Sequence, residues 1–186
     1  MVDPSNESEM VARARAGDDL AWETLVRQHQ EPVFRLAYLL LGDPDDARDI
    51  AQEVFIRTYK HLNRFDETRP LRPWLMRISS NLARNRKRSL ARYWRTLERA
   101  ARQKPVDRAT LDSGGVEELW QAIRKLKHAD QQVIYMRYFL EISEAEMAST
   151  LEIPRGTVKS RLHRALSRLR VLIETEFPDL RSGLYA

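Results

Sequence analysis

Six basic residues near the carboxyl end of the chain are the side chains best suited to recognise a ligand. They lie between Ile153 and Arg170, a stretch that contains no acidic residue. Their charged groups bind phosphate oxygens, and the arginine fork also matches the two acceptors on the major-groove edge of guanine. Small polar residues lie between them, which favours contact with nucleic acid. The six residues are Arg155, Lys159, Arg161, Arg164, Arg168 and Arg170.

The elements that must position these side chains are two helices joined by a tight turn. Ser143 and Glu146 have the spacing of a capping box, which satisfies free backbone donors at the start of the first helix. Pro154 ends that helix, because proline lacks a backbone donor and disfavours a helical conformation in the residue before it. The second, longer helix is predicted to begin near Gly156 or Thr157.

The second helix has an apolar face and a basic face. The predicted apolar stripe consists of Val158, Leu162, Ala165, Leu166, Leu169 and Leu172. The predicted opposite face carries Thr157, Ser160, Arg161, Arg164 and Arg168. A recognition helix of a helix-turn-helix needs both faces, one for its own domain and one for the major groove. The alternative is an amphipathic hairpin with a solvated basic face, and the absence of acidic residues favours DNA.

The charge of the chain is unevenly distributed. Residues 1–70 carry 9 basic and 14 acidic residues, whereas residues 71–110 carry 12 basic and 2 acidic ones. Residues 111–186 carry 11 of each, and the whole chain has a net charge of +5. This division predicts two surfaces for nucleic acid and one surface for another protein.

The helix predicted to begin at Pro73 or Trp74 carries much of the basic middle region. Four apolar residues at helical spacing form its predicted core side: Trp74, Leu75, Ile78 and Leu82. Its other faces carry Arg77, Asn81 and Arg84. Cations interleaved with amide and aromatic groups suit a nucleic-acid backbone with unstacked bases. The alternative, arginines that complement the dipole of a helix end, accounts for only one or two cations.

An earlier helix, predicted over residues 45–63, has an acidic and amide-bearing outer face. Asp49, Gln52 and Glu53 lie on that face, outside the buried stripe. On spacing alone, a solvated surface is the favoured interpretation of such a face.

The composition excludes several classes of protein. The chain of 186 residues has no cysteine, which rules out disulfides, zinc–cysteine sites and thiol redox chemistry within it. Its longest apolar run, Leu36 to Leu41, is far too short to span a membrane. The amino terminus is polar and acidic, unlike a signal peptide, so we expect a cytoplasmic protein. No metal-ligand cluster, phosphate loop or nucleophile–base pair indicates a cofactor or an enzyme.

The predicted fold is all-α, with two small helical domains joined by a flexible linker. The domains are predicted over residues 18–90 and 116–173, and the linker over residues 91–115. Lys104-Pro105 and a glycine pair mark the linker. Pro32 is expected to interrupt an early helix, so that a new helix follows it.

These residues resemble a known family, the extracytoplasmic-function group of sigma-70 sigma factors. The stretch Asp46 to Phe65, followed by Pro73-Trp74-Leu75 and Ile78 to Asn81, looks like region two of that family. Gly156 to Ala165 looks like region four. The resemblance implies a factor that binds core RNA polymerase, directs it to promoters and helps to melt DNA, with an anti-sigma factor as a further partner.

The resemblance also implies a role for each surface. It assigns polymerase binding to Asp49, Gln52 and Glu53, in place of the solvated face that spacing favours. It assigns melting of the minus-ten element and capture of a flipped base to the loop at residues 65–73 and to Trp74, Arg77, Asn81 and Arg84. It places Lys159, Ser160, His163 and Arg164 at the minus-thirty-five element, with Arg155, Thr157 and Arg161 near phosphates. Arg164 is the best candidate for direct base recognition.

Two other functions are compatible with part of the chain. A stand-alone helix-turn-helix regulator would explain the carboxyl-terminal domain but would leave residues 46–81 without a role. A helical adaptor with no DNA role is the second alternative. Duplex binding that weakens steeply with salt would count against the adaptor, because phosphate contacts release counterions.

Overall fold

The structure, a computed structural model, describes residues 4–101, 114–177 and 180. The described residues form α-helices and contain no strand, so the predicted all-α class is confirmed. No helix among them is both long enough and apolar enough to cross a membrane. The helices are α1 (Pro4–Arg15), α2 (Asp19–Leu41), α3 (Pro44–His61), α4 (Leu71–Ala101), α5 (Gly114–Lys125), α6 (His128–Ile134), α7 (Glu144–Leu151) and α8 (Arg155–Glu176).

Aspartate N-cap residues determine where α2 and α3 begin. The carboxylate of Asp18 accepts a hydrogen bond from the Ala21 amide at 3.1 Å, which satisfies a free donor in the first turn of α2. Asp43 does the same for the first turn of α3. Between them, Gly42 ends α2 in the left-handed conformation, with φ of 77°, which a glycine adopts without steric penalty. These local signals fix where α2 ends and α3 begins.

Helix α2 continues through Pro32, so the predicted interruption is wrong. A proline inside a helix costs about 3 kcal/mol, because it removes one backbone hydrogen bond and crowds the preceding turn. Leu25, Val33 and Leu36 nevertheless lie fully buried on one face of the continuous helix. Packing of that face against α3 and α4 outweighs the local penalty.

Helix α4 extends to Ala101, well into the predicted linker, and α5 begins already at Gly114. The sequence contains no proline or glycine between Pro73 and Pro105, so nothing local ends the helix at residue 90. The predicted linker, residues 91–115, is therefore helical at both ends. Lys104-Pro105 and the rest of residues 102–113 lie outside the described residues.

Two apolar cores hold the described helices together. The first joins α1, α2, α3 and the start of α4. The second lies among α5, α6, α7 and α8, but it also takes in four side chains from the other unit: Leu36, Leu40, Met76 and Ala83. The amino-terminal and carboxyl-terminal helices therefore share a packed boundary. This boundary places one face of α4 against the helix-turn-helix.

Candidate nucleic-acid interface

Helices α7 and α8 form the predicted helix-turn-helix. The Ser143 hydroxyl accepts a hydrogen bond from the Glu146 amide at 3.2 Å, which is the first half of the expected capping box. Glu152 ends α7 in the left-handed conformation, with φ of 53°. Helix α8 begins at Arg155, slightly before the predicted start, because the amides of Thr157 and Val158 both donate to the Pro154 carbonyl.

Helix α8 divides its residues between core and surface largely as predicted. Val158, Leu162, Ala165 and Leu169 are buried. Leu166 is wrongly placed in the predicted stripe, since it is 36% exposed. It lies about 80° around the helix from Val158, at the edge of the buried face.

Arg161 and Arg168 lie at the opposite edge of the buried face. The sequence predicts both of them on the basic face instead. Arg168 donates to the Asp130 carboxylate at 2.7 Å, and that carboxylate is only 6% exposed. Arg168 therefore ties α8 to α6. Arg161 is half-buried and faces α4, about 60° around the helix from Val158. The helical position of each arginine, at the margin of the core, explains both contacts.

The remaining predicted side chains of α8 form an open face, which we call the α8 face: Arg155, Thr157, Lys159, Ser160, His163 and Arg164. Thr157 is half-buried, and the other five are exposed. Arg164 is exposed and donates through Nε to the Ser160 carbonyl at 3.2 Å, a bond that uses neither of its terminal nitrogens. Arg155 lies 3.5 Å from Glu144, an exposed pair that adds little stability. The α8 face can thus offer several donors to a major groove.

The second predicted DNA surface lies where α4 begins. Phe65 and Trp74 stack with ring centroids 4.8 Å apart and ring planes 19° from parallel. They form one wall of a cavity of about 580 Å³, which we call the aromatic pocket. Arg64, Arg69 and Arg77 also line it. An aromatic wall bordered by cations suits an unstacked base and its phosphates.

Helix α1 supports the loop that precedes this pocket. Arg15 donates to the Leu62 carbonyl at 2.8 Å and forms an ion pair with Glu67. The carboxylate of Glu7 accepts a hydrogen bond from the Leu71 amide at 2.9 Å and contacts His29 at 3.0 Å. Burial by itself raises the pKa of Glu7, but the hydrogen bonds with His29 and Leu71 lower it overall. The sequence carries no local signal for this network, because its members lie far apart in the chain.

The loop is also stabilised internally at Asp66. Its carboxylate accepts hydrogen bonds from the Thr68 hydroxyl at 2.6 Å and the Thr68 amide at 3.1 Å. These hydrogen bonds, together with the charge of Arg69, hold the pKa of Asp66 below its ordinary value. The ionised form of Asp66 therefore favours this turn beside the aromatic pocket.

The predicted polymerase-binding residues form an open ridge on α3. Asp49 and Gln52 are exposed, and Glu53 is half-buried in an ion pair with Arg57 at 2.6 Å. Beside them lies an apolar groove of about 650 Å³, lined by Trp22, Val26, Phe55, Ile56 and Tyr59. The groove does not follow from the buried stripe predicted for α3. Two residues in the sequence could have indicated it, because Ile56 and Tyr59 are apolar but do not fit the buried stripe of α3. They are 42% and 50% exposed.

The helix-turn-helix covers part of the predicted minus-ten face of α4: Trp74 and Arg77 are half-buried, whereas Asn81 and Arg84 are exposed. Arg77 forms an ion pair with Glu152, and Arg72 lies 3.2 Å from Glu146. Asn81 and Arg84, which are hydrogen-bonded to each other at 3.1 Å, line a cavity between α4 and the carboxyl-terminal helices. The structure therefore brings Trp74, Arg77, Asn81 and Arg84 together on α4 but turns that face toward α7. The α8 face stays open.

Comparisons with known proteins match both halves of the chain. The profile for sigma-70 region 2 matches residues 25–93, and the profile for sigma-70 region 4 matches residues 116–169. The ECF RNA polymerase sigma factor SigW of Bacillus subtilis is 32% identical over 86% of this chain and 92% of its own length. The RNA polymerase sigma-E factor of Streptomyces coelicolor is 32% identical over 83% of this chain and 86% of its own length.

Two solved structures share the fold. CnrH, solved in complex with the cytosolic domain of CnrY, superposes with a TM-score of 0.70 at 24% identity, over 92% of this chain and 99% of CnrH. The sigma factor RpoE of Bartonella quintana, solved in complex with the anti-sigma factor NepR, gives a TM-score of 0.55 at 22% identity, over 82% of this chain and 94% of RpoE. The helical architecture described above is therefore one that other chains adopt.

Proposed function

The chain belongs to the extracytoplasmic-function group of the sigma-70 family, and we propose that it binds core RNA polymerase, directs it to specific promoters and helps to melt DNA for transcription initiation. The observation that supports this proposal is that one chain carries two different surfaces whose chemistry suits nucleic acid. One is the aromatic pocket beside α4, and the other is the α8 face. A stand-alone helix-turn-helix regulator would use only the second.

We assign the minus-ten element to the face of α4 that carries Trp74, Arg77, Asn81 and Arg84. The support is chemical: the stacked Phe65 and Trp74 offer a surface for a flipped base, and the arginines offer donors for the flanking phosphates. In the structure α7 packs against this side of α4, an arrangement that we call closed. Contact between the minus-ten strand and Arg77 therefore requires Glu152 to move away from α4, whereas Asn81 and Arg84 are already exposed.

We assign the minus-thirty-five element to the α8 face. Lys159, Ser160, His163 and Arg164 would meet base edges, with Arg155 and Thr157 near phosphates. Arg161 is part of the same proposal as a phosphate contact, which it would make only after it leaves the boundary with α4. Arg164 is the residue that best suits guanine, because it is exposed and its two terminal nitrogens match the acceptors of that base.

We assign polymerase binding to Asp49, Gln52 and Glu53. The ridge is exposed and polar, and the groove beside it is apolar. A surface that combines an apolar centre with polar groups around it is typical of protein interfaces. A helical partner that carries basic residues and apolar anchors would match both features. The groove thus extends the polymerase-binding surface beyond the residues named from the sequence.

The remaining assignments follow from the family. We propose region two over residues 18–90, a linker within 91–115 and region four over 116–173. The protein acts in the cytoplasm as a subunit of the polymerase, without a cofactor and without covalent chemistry of its own. RpoE of Bartonella quintana is bound by the anti-sigma factor NepR, and we propose a partner of the same class for this chain.

Transcription with purified components tests the proposal. Transcripts that appear when the protein is overproduced would identify its promoters through their upstream sequences. Core enzyme plus this protein should then initiate at those promoters, and core enzyme alone should not. Failure to initiate above the core background on several such promoters would refute the sigma assignment. Duplex binding without initiation would instead support the stand-alone regulator.

A further inference from the structure

A polar cavity separates α4 from the carboxyl-terminal helices. Its volume is about 390 Å³, and both units contribute to its walls. Helix α4 supplies Arg84 and Arg88, α6 supplies His128, and α8 supplies Arg161. We call it the junction cavity. It adjoins the aromatic pocket, which lies nearer the start of α4 and shares Arg77 and Glu152 with it.

The junction cavity has an excess of positive charge. Its one acidic lining residue, Glu152, forms an ion pair with Arg77. Arg84 donates to the Asn81 side-chain oxygen, which is neutral. Within the part of the chain that the structure describes, no carboxylate lies within ion-pair distance of Arg88 or Arg161. Like charges this close repel one another unless an anion lies between them.

Two buried polar atoms at the junction cavity have no hydrogen-bond partner. The hydroxyl of Ser80 and Nδ1 of His128 are both shielded from solvent, and Ser80 is only 4% exposed. Buried polar groups in proteins almost always have a partner, and leaving one without a partner costs about 1–3 kcal/mol. A ligand with several acceptor oxygens would satisfy the hydroxyl and a protonated Nδ1 at once.

We propose that the junction cavity binds a free multivalent phosphate anion, such as pyrophosphate, which bridges Arg84 and Arg88 of α4 to His128 and Arg161 of the carboxyl-terminal helices. Guanidinium groups pair bidentately with phosphate oxygens, which favours this class of anion over a halide. Arg84 and Arg88 are exposed at the mouth of the cavity, whereas the Ser80 hydroxyl and Nδ1 of His128 lie behind them and are shielded from solvent, where only a small ligand can contact all four groups. A small free anion fits where a duplex does not.

The bound anion favours the closed arrangement. A ligand that contacts both units stabilises their association by mass action and opposes any state in which they separate. Because Asn81 and Arg84 also belong to the proposed minus-ten face, the anion competes with promoter DNA for the same side of α4. This inference does not depend on the sigma assignment, since anion binding is measured without polymerase.

Isothermal titration of the full chain with sodium pyrophosphate, at constant ionic strength, tests the site. We expect saturable binding with one anion per chain. Arg88→Gln and His128→Gln should each weaken binding roughly tenfold, as expected for loss of a hydrogen bond to a charged group. Arg27→Gln is the matched control, because it removes an exposed charge from α2 far from the cavity, and its affinity should match that of the wild type. Equal weakening by Arg27→Gln, or no saturable binding, would overturn the proposal.

Titration of His128 by nuclear magnetic resonance gives a second readout that does not depend on a variant's stability. Burial and the nearby charges of Lys87, Arg84 and Arg88 lower the pKa of His128 to about 4. A bound phosphate anion adds negative charge beside the imidazole, so the pKa of His128 should rise when pyrophosphate is present. The His128→Gln variant assigns the resonance. An unchanged titration curve at saturating pyrophosphate would place the anion elsewhere and overturn the proposal.

A competition experiment distinguishes the free anion from DNA phosphates. Pyrophosphate should weaken binding of a single-stranded oligonucleotide by the wild type more than by Arg88→Gln, whereas chloride at equal ionic strength should affect both alike. If Arg88→Gln weakens oligonucleotide binding and pyrophosphate does not compete, the cations of the cavity serve the DNA backbone, and the free-anion site is refuted.

Discussion

Arg77 of α4 forms an ion pair with Glu152, the residue that ends the first helix of the helix-turn-helix, 75 positions further along the chain. The carboxylate therefore occupies the place beside Arg77 that a DNA phosphate would take. A second pair, between Arg72 and Glu146, lies on the same boundary at 3.2 Å. Both acidic residues belong to the helix-turn-helix unit and both arginines to the predicted minus-ten unit, so contact between the units would compete with the proposed contact between these arginines and DNA.

Neutralising the two acidic residues should favour DNA binding by α4. Exposed ion pairs contribute about 0.2–1 kcal/mol each. The double variant Glu146→Gln, Glu152→Gln should therefore bind a labelled minus-ten single strand several-fold more tightly, as measured by fluorescence anisotropy. Glu174→Gln, which removes an exposed ion pair with Arg170 on the far end of α8, is the control. Unchanged affinity of the double variant would show that these pairs do not restrict access to α4.

Two arginines of α8 should have different roles. Arg164→Ala should reduce discrimination between specific and random duplexes by about 1–3 kcal/mol, because it removes a bidentate base contact. Arg168→Ala should instead lower the free energy of unfolding by about 1–3 kcal/mol, because it leaves the buried Asp130 carboxylate without its charged partner. Electrophoretic mobility shifts and urea unfolding measure the two effects. Equal weakening by Arg164→Ala on both kinds of DNA would mean that Arg164 contacts only phosphate.

Charge reversal on the α3 ridge should weaken polymerase binding. Asp49→Lys and, separately, Glu53→Lys place a cation where the proposed partner surface is basic, so each should reduce affinity for core enzyme at least several-fold, with a larger effect at low salt. Duplex binding through the α8 face should not change. Glu174→Lys reverses the same charge on α8 and should keep full polymerase affinity. If both α3 variants bind core enzyme as tightly as the wild type does, the assignment of polymerase binding to this ridge is refuted.

The network of Glu7 predicts a pH dependence of stability. The pKa of Glu7 is lowered from 4.5 in the folded protein, mainly by its hydrogen bonds, which outweigh the opposite effect of burial. Its stabilising contribution is therefore fully present above pH 4.5 and is lost as the pH falls through the folded pKa. Glu7→Gln should lower the free energy of unfolding by about 1–3 kcal/mol at neutral pH and remove this part of the acid sensitivity.

Urea unfolding at pH 7 and at several values below 4.5 measures the effect. Glu9→Gln, on the exposed side of the same helix, should behave like the wild type. If Glu7→Gln and the wild type lose equal stability on acidification, the carboxylate of Glu7 does not contribute in its ionised form.

Features set by short-range signals could be predicted from the sequence. The capping serine at Ser143, the break at Pro154 and the periodicity of α8 predict a helix-turn-helix, because each acts within one or two turns of helix. The cationic and aromatic composition around Trp74 likewise predicted a nucleic-acid surface. The assignments of individual residues to DNA and polymerase remain predictions that the experiments above address.

Features set by tertiary contacts could not be predicted. Pro32 lies inside α2 because the packing of Leu25 and Leu36 compensates for it, and no local pattern reports that packing. The partner of Arg168 is Asp130, on another helix, and the position of Arg168 at the margin of the core does not identify that partner. The contact between Arg77 and Glu152 depends on how the two units meet, which periodicity within each unit does not specify.

The apolar boundary between the units also makes their separation sensitive to temperature. Opening would expose Leu36, Leu40, Met76 and Ala83 to water, and hydration of apolar surface increases the heat capacity. The free energy of opening is then a curved function of temperature, and the apolar contribution that keeps the units together weakens on cooling. Below the temperature at which this free energy is largest, further cooling should therefore raise the fraction of molecules with α4 accessible, even when no partner or ligand is present.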